Sequence, residues 1–259
     1  MKMPFFITDL TSALSFLTRL RLPDLLMAEM PAGARAAWAY PLAGAIATIL
    51  PAIALAGFVW LGASPLVAAL LAVLISIMVC GGLHEDGLAD AADGLFGGRD
   101  RETALAIMKD SHSGVFGVTA IVLSLLLRAA ALAALAAHDG PTAAGLLFIA
   151  AAIAGRGSLV LQWTMLPAAR ADGAAATLGR PGVRTTASAE AITLLLCVGI
   201  GIATSALDGV VIALASAGIA SLLFSAFIRK KIAGHTGDTL GAAAQIGEIV
   251  FLTTLAIAA

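Results

Sequence analysis

The sequence predicts an all-α, polytopic integral membrane protein, and three observations carry that prediction. Hydrophobic residues fill 60% of its 259 positions and Asp, Glu, Lys and Arg only 12%, about half the ~25% of an ordinary soluble domain. The apolar residues gather into runs close to the ~20 positions that a helix needs to cross a bilayer. Among the connections between those runs Lys and Arg occur only in alternate ones, as the positive-inside rule expects of a multi-pass protein. There is no short-period repeat and no linker of disordered composition, so a single membrane-embedded domain covers residues 1–259.

The chain opens without the basic start, apolar core and cleavage site of a signal peptide. Instead Phe5, Phe6, Leu10, Leu14, Leu17 and Leu20 recur at helical spacing, with Asp9, Thr11, Ser15 and Arg19 between them. That pattern predicts an amphipathic helix in the membrane interface, acting as an anchor or as a lip over a site. About seven spans follow: Ala36 to Leu61, Pro65 to Leu83, Val115 to Ala137, Ala143 to Leu166, Ala187 to Leu207, Gly209 to Ile228 and Leu240 to Ala258. Their Ala and Gly content suits close helix packing, because small residues let backbones approach. Cys80 and Cys197 fall inside spans, in no disulfide or metal-type spacing, and read as packing residues.

Basic residues fix the orientation. Lys2, Arg19, Arg21 and Arg35 precede the first span; Arg99, Arg101 and Lys109 follow the second; Arg170, Arg180 and Arg184 follow the fourth; Arg229, Lys230 and Lys231 follow the sixth. The opposite connections, Gly62 to Ser64, His138 to Pro141 and around Asp208, contain no Lys or Arg. The N-terminus and charged loops are therefore expected in the cytoplasm and the C-terminus outside. No basic surface suits nucleic acid. Self-association into a homo-oligomer is left open.

The long connection His84 to Gly114 holds Glu85, Asp86, Asp90, Asp93, Asp100, Glu102 and Asp110. Leu88, Ala91, Ala92 and Leu95 suit a helical start, Gly97-Gly98 breaks it, and Arg101 to Lys109 suits a second short helix. On the first helix Asp86, Asp90 and Asp93 stand at i, i+4 and i+7 and share a face. Carboxylates that close repel one another unless a cation sits between them, and a hard divalent ion with oxygen ligands is the natural occupant.

A second polar stretch, Gly234-His235-Thr236-Gly237-Asp238-Thr239-Leu240-Gly241, opens the last span. Asp238, Gly241, Gln245 and Glu248 fall near one stripe of that helix. Thr236 reads equally as a helix cap, while Asp238 shares the side of the acidic loop and reads as a second acidic contribution to one site. Glu248 lies deep in the span, where pairing with Arg156 or Arg128 is the alternative to a ligand contact. Arg156, in Ala154-Gly155-Arg156-Gly157, must meet a carboxylate or a phosphate; Arg128, with nothing polar beside it in sequence, reads as structural or snorkelling. His84 and His112 flank the loop. Carboxylates that hold a divalent ion, with Lys109, Arg156, Arg170 and the run Arg229-Lys230-Lys231 available around them, suit phosphoryl transfer from a nucleotide-activated substrate.

Gly81-Gly82-Leu83-His84-Glu85-Asp86-Gly87-Leu88-Ala89-Asp90-Ala91-Ala92-Asp93-Gly94, then Met108-Lys109-Asp110-Ser111 with Gly114 and Gly117, and Thr236-Gly237-Asp238-Thr239-Leu240-Gly241-Ala242 with Glu248, closely resemble the cobalamin synthase family of adenosylcobinamide-GDP ribazoletransferases. The likeness extends to Phe16-Leu17-Thr18-Arg19-Leu20 with Pro23, Tyr40-Pro41-Leu42-Ala43-Gly44, Arg156, and Ala169-Arg170 with Gly173. It implies a magnesium-dependent enzyme of a bacterial cytoplasmic (inner) membrane, acting late in vitamin B12 assembly. A hydroxyl of α-ribazole or its 5′-phosphate attacks adenosylcobinamide-GDP at the phosphorus nearest cobinamide; GMP leaves and adenosylcobalamin or its 5′-phosphate forms.

Carried onto these positions, the resemblance implies Asp86, Asp90, Asp93 and Asp238 on Mg²⁺ and the pyrophosphate. Asp110 would be a further ligand or the base for the attacking hydroxyl. Lys109, Arg156 and Arg170 would contact phosphates, with Ser111, His112, Thr236, Gly237 and Glu248 also at the substrate. His112 stands where the family commonly has Arg, which makes a phosphate contact weaker or pH-dependent. Glu85, at a position that is also apolar in the family, reads as a solvated neighbour. Two other classes compete: a CDP-alcohol phosphotransferase, whose motif has Arg soon after its first Asp-Gly-x-x-Ala where this chain has Asp90, and an ion or proton transporter relaying through Glu248, Arg156 and Arg128.

Overall fold

A computed structural model describes residues 5–21, 33–110, 112–170 and 177–259, and among these the chain is helical, with no strand. The elements are α1 (Phe5–Leu17), α2 (Tyr40–Trp60, entered through a 3-10 turn at Gly33–Ala39), α3 (Pro65–Cys80), α4 (Leu83–Ala92), α5 (Arg101–Ile107), α6 (Val115–His138), α7 (Pro141–Met165), α8 (Val183–Ala203), α9 (Leu207–Ile232) and α10 (Gly237–Ala258). Six of the described helices are long and apolar enough to cross a membrane, and α3 with α4 adds a seventh as a broken span. The protein is a multi-pass membrane protein. Val118, Val122, Leu123 and Leu126 on α6, and Val211, Ile219 and Leu223 on α9, are exposed and apolar, as lipid-facing positions must be.

The second expected span ends early, and its end shapes the site. Ser64 caps α3, accepting from Val67 N–H at 3.4 Å, with Pro65 in the first turn, where a missing N–H costs nothing. At the far end Gly81 and Gly82 take φ of +66° and +71° in succession. Side chains rarely tolerate that region, so the glycine pair allows a 92° bend into α4. The acidic stretch expected in a cytoplasmic loop is therefore a packed helix. It widens at Asp93–Gly97 into a π-type turn before the short α5.

Short turns join α6 to α7 and α8 to α9. Asp139, Ser205 and the chain end Ala259 line one cavity at that end of the bundle. The helix ends that carry Lys and Arg lie opposite. The central helix is α7, which packs on α2, α6, α8, α9 and α10. It is buried almost continuously from Ala144 to Val160. Small residues make this possible: a Cβ on Gly155 would stand 2.6 Å from the Ala244 carbonyl, and one on Gly247 would stand 2.5 Å from Ser158 Oγ.

The amphipathic N-terminal helix docks differently from a plain interfacial anchor. Ala13, Leu14 and Leu17 of α1 are buried against the bundle, and so is Asp9, which accepts from Arg35 and from Trp38 Nε1 at 2.9 Å each. Phe5, Phe6 and Phe16 face outward.

Helix α4 crosses the first turn of α10 at Gly87, where a Cβ would meet the Asp238 carbonyl at 2.9 Å and Gly241 Cα at 3.3 Å. Gly87→Ala is expected to cost about 1–3 kcal/mol by overpacking. Gly237→Ala, whose Cβ would meet nothing within 4 Å, serves as the control. Unfolding in mild detergent compares the two, and equal stability of both variants would mean that this crossing is loose.

Candidate functional site

The α4–α10 crossing gathers carboxylates from distant parts of the chain. Asp86 is exposed, Asp90 and Asp238 are partly buried, and Asp93 is buried. Asp90 is repelled by Asp86, Asp238 and Asp93, and Asp238 by Asp86. Neither the Asp86 nor the Asp90 side chain has a hydrogen-bond or ion-pair partner among the described residues. Thr236 Oγ1 donates to Asp238 Oδ2 at 3.2 Å, and Arg170 attracts the same carboxylate.

Asp93 is engaged elsewhere. Its two oxygens accept from the Gly114 N–H at 2.6 Å and the Gly117 N–H at 2.8 Å, capping α6 and joining it to α4. The glycines are required there, since a Cβ on either would collide with the Asp93 carboxylate. Among the described residues no three Asp, Glu, His or Cys side chains are grouped so that they could hold a metal ion together.

The other expected site residues divide. Thr236 caps α10, its hydroxyl accepting from Thr239 N–H at 3.2 Å while Thr239 Oγ1 accepts from Thr236 N–H at 2.9 Å. Gly237 is exposed in the first turn of α10. The Arg170 guanidinium donates to the Leu105 carbonyl, and Arg101 donates to Ile232 O at 3.0 Å and Ala169 O at 2.5 Å. Together they tie α5 to the acidic end of the bundle. Lys109 is exposed just beyond α5. Ser111 lies outside the described residues.

Asp110 and His112 form an exposed pair, with Asp110 Oδ1 accepting from the His112 backbone N–H at 3.1 Å and lying 2.7 Å from its Nδ1. The Asp110 hydrogen bond and charge lift the His112 imidazole above its usual value. The imidazolium is thus complete below the unperturbed range and is lost only as pH rises through the raised value. Asp110→Asn is expected to move the His112 midpoint downward, read by NMR titration of its ring; an unmoved midpoint would dissolve the pair.

Glu248 and Arg156 meet each other rather than the acidic cluster. Arg156 Nη1 donates to Glu248 Oε2 at 2.8 Å, and Arg128 donates to Glu248 Oε1 at 3.2 Å and Glu85 Oε1 at 2.9 Å. Gln245 Nε2 donates to Glu85 Oε1 at 3.0 Å, and its Oε1 accepts from Ser124 Oγ at 3.1 Å. Two readings change as a result. Arg128, only 1% exposed, is surrounded by carboxylates, and Glu85 is a buried partner rather than a solvated neighbour. Sequence spacing does not bring Glu85 to Arg128, 43 positions away; the signal available is that each is a charge in an apolar setting that requires an opposite one.

Beside Asp86 and Asp238 lies a cavity of about 260 Å³, walled by Phe16, Tyr40 and Trp163 among others. A wider one of about 550 Å³ at the opposite end contains none of the clustered carboxylates.

Fold and site define a multi-pass helical membrane protein with a cluster of carboxylates at one end of its bundle. Residues 9–256 match the cobalamin-5-phosphate synthase family, and the chain belongs to that family. It is 44% identical over 259 residues to the adenosylcobinamide-GDP ribazoletransferase of Rhizobium johnstonii, covering 100% of both chains. To the proteins of the same name from Rhizobium meliloti and Bradyrhizobium diazoefficiens it is 42% identical, covering 96% of this chain in each case and 96% and 94% of theirs. No solved structure matches.

Proposed function

We propose that the chain is an adenosylcobinamide-GDP ribazoletransferase, which transfers the adenosylcobinamide phosphate of adenosylcobinamide-GDP to α-ribazole or its 5′-phosphate and releases GMP. The observation that carries this is family membership over residues 9–256 together with a carboxylate cluster at the α4–α10 crossing. Substrates, cation and residue roles are parts of the same reading.

The residues fit Mg²⁺ by donor chemistry, as hard oxygens with no protein cation bound to Asp86 or Asp90. A three-ligand protein shell is not required, because Mg²⁺ commonly takes one or two carboxylates and completes its shell with water and substrate phosphate. Asp86, Asp90 and Asp238 would hold the ion, with Asp93 positioning α4 through its cap on α6. Bound there, Mg²⁺ supplies charge that offsets the pyrophosphate oxygens. A ribose hydroxyl oxygen attacks the phosphorus joined to cobinamide, and the bond from that phosphorus to the bridging oxygen breaks. The bridging oxygen leaves with GMP, and the hydroxyl proton passes to a base, for which Asp110 is the candidate. Arg170, already drawn to Asp238, and Lys109 attract phosphate. Arg156 and Glu248 support the helices around the site.

The distribution of Lys and Arg supports a cytoplasmic N-terminus and acidic end and an outer C-terminus, and the bacterial relatives support residence in a bacterial inner membrane. The test is purified protein in detergent given adenosylcobinamide-GDP and α-ribazole, with and without magnesium. Magnesium-dependent GMP and a complete cobalamin are expected. Absence of both from folded protein would refute the reading and turn attention to CDP-alcohols; nucleotide-free ion flux in vesicles would favour a transporter.

A further inference from the structure

The cavity beside Asp86 and Asp238 has a wall and a floor of different chemistry. Its wall carries Phe16, Tyr40, Trp163 and Leu159. Three of those rings run in series, with Tyr40 5.9 Å from Trp163 and 6.2 Å from Phe16 between centroids. At the floor His84 lies beside the two carboxylates. His84 is 1% exposed, and its Nε2 has no hydrogen-bond partner. A buried polar atom left alone keeps the loss of its hydration uncompensated, so it calls for a ligand atom or an ordered water.

Resting on the reaction proposed above, three parts of the substrates compete for this space. A corrin ring is far too large: about 260 Å³ is below the ~300–1,000 Å³ of pockets that hold whole drug-sized ligands. Guanine is flat and small enough, but its edges carry several donors and acceptors that a carbon wall would leave unpaired. The base of α-ribazole is a benzimidazole, a flat bicycle with a hydrocarbon edge and one bare ring nitrogen. One unpartnered imidazole nitrogen and an aromatic wall complement it.

We propose that this cavity is the acceptor site, seating the benzimidazole of α-ribazole against Tyr40 and Trp163, with its bare nitrogen at His84 Nε2 and its ribose beside Asp86 and Asp238. With hydrogen on Nε2, the buried and unpartnered His84 ring donates one N–H to that bare nitrogen. The apolar wall selects the base, and the carboxylates meet the ribose hydroxyl only after the base is seated.

Leu159→Phe, which fills the wall, is the test. It is expected to raise the KM for α-ribazole about tenfold or more, and to leave the KM for adenosylcobinamide-GDP within about twofold. His84→Leu should raise the same acceptor KM, and His84→Gln, which keeps an N–H, should recover part of it. A shift confined to the donor KM, or none in either, would overturn the proposal. If Leu159→Phe does not fold, Leu178→Phe at the partly exposed rim carries the same expectation. Should wild-type protein show no turnover, equilibrium dialysis of α-ribazole separates the two readings: saturable binding lost in Leu159→Phe supports the acceptor site without the reaction, and no binding removes both.

Discussion

Replacing Asp86 or Asp238 by Asn is expected to lower kcat/KM for the proposed transfer by about 100-fold or more, with little loss of fold. The size follows from the charge each would set against the shifting pyrophosphate: removing about 3 kcal/mol of transition-state stabilisation is roughly a 100-fold loss. Preservation of the fold follows from position. Asp86 is exposed and its carboxylate has no protein partner among the described residues, while Asp238 loses one hydrogen bond from Thr236, and Thr236 keeps its capping contact with Thr239. Both substitutions relieve repulsion among the carboxylates, so the metal-free variants are expected to be as stable as wild type or slightly more so. Steady-state turnover set beside unfolding in detergent reads both effects, and either variant keeping near wild-type turnover and magnesium dependence would remove that residue from the cation.

Glu248→Gln is expected to show the reverse pattern, with stability lost first. Glu248 is 2% exposed and bridges both buried guanidinium groups, while Glu85 reaches only Arg128. The two carboxylates and two guanidiniums are neutral together. With Gln at 248 one uncharged amide oxygen remains where two carboxylate oxygens served two guanidiniums, and the other partner of Arg156 is Cys80 Sγ at 3.6 Å. Removing one partner of a buried pair costs about 3–5 kcal/mol, much of it the charge left behind. Glu248→Gln combined with Arg156→Gln restores neutrality and should be more stable than the sum of the single losses implies, a coupling between contacting residues. Unfolding free energies of the three variants measure it. A single variant within about 0.5 kcal/mol of wild type would mean that water or lipid reaches this network.

Much of the bundle was legible because spans are set by composition and length. The starts of α6, α7 and α10 fall within a few residues of the expected positions, since the apolar runs begin there and Pro141 and Thr236 mark the openings of α7 and α10. The end of α3 was harder to read: hydropathy continues to Leu83, whereas the bend is decided by Gly81 and Gly82, which count as neutral in a hydropathy window. That one feature packs the expected helix into the bundle, and it explains why Glu85 and His84 are buried.

The candidate site was legible in proportion to how local its signal is. Asp86 and Asp90 belong to one helical face, and Asp238 shares their side of the bundle by the charge pattern, so their meeting was readable. Periodicity also put Asp93 on that face, but its role depends on Gly114 and Gly117, whose bare backbone N–H groups turn the carboxylate toward α6. The aromatic wall escaped notice because Phe16, Tyr40 and Trp163 come from three separate helices, and nothing in any one of them marks a cavity.

The central claim is that α4 and α10 together hold one divalent cation that serves the transfer. Its most direct test is electron paramagnetic resonance of Mn²⁺ titrated into the purified protein with adenosylcobinamide-GDP present, compared with Asp86→Asn and Asp238→Asn. The account predicts saturable loss of the free-ion signal in wild type, weakened about tenfold or more in both variants and competed away by magnesium. Equal Mn²⁺ binding in all three proteins would contradict it and place the cation elsewhere.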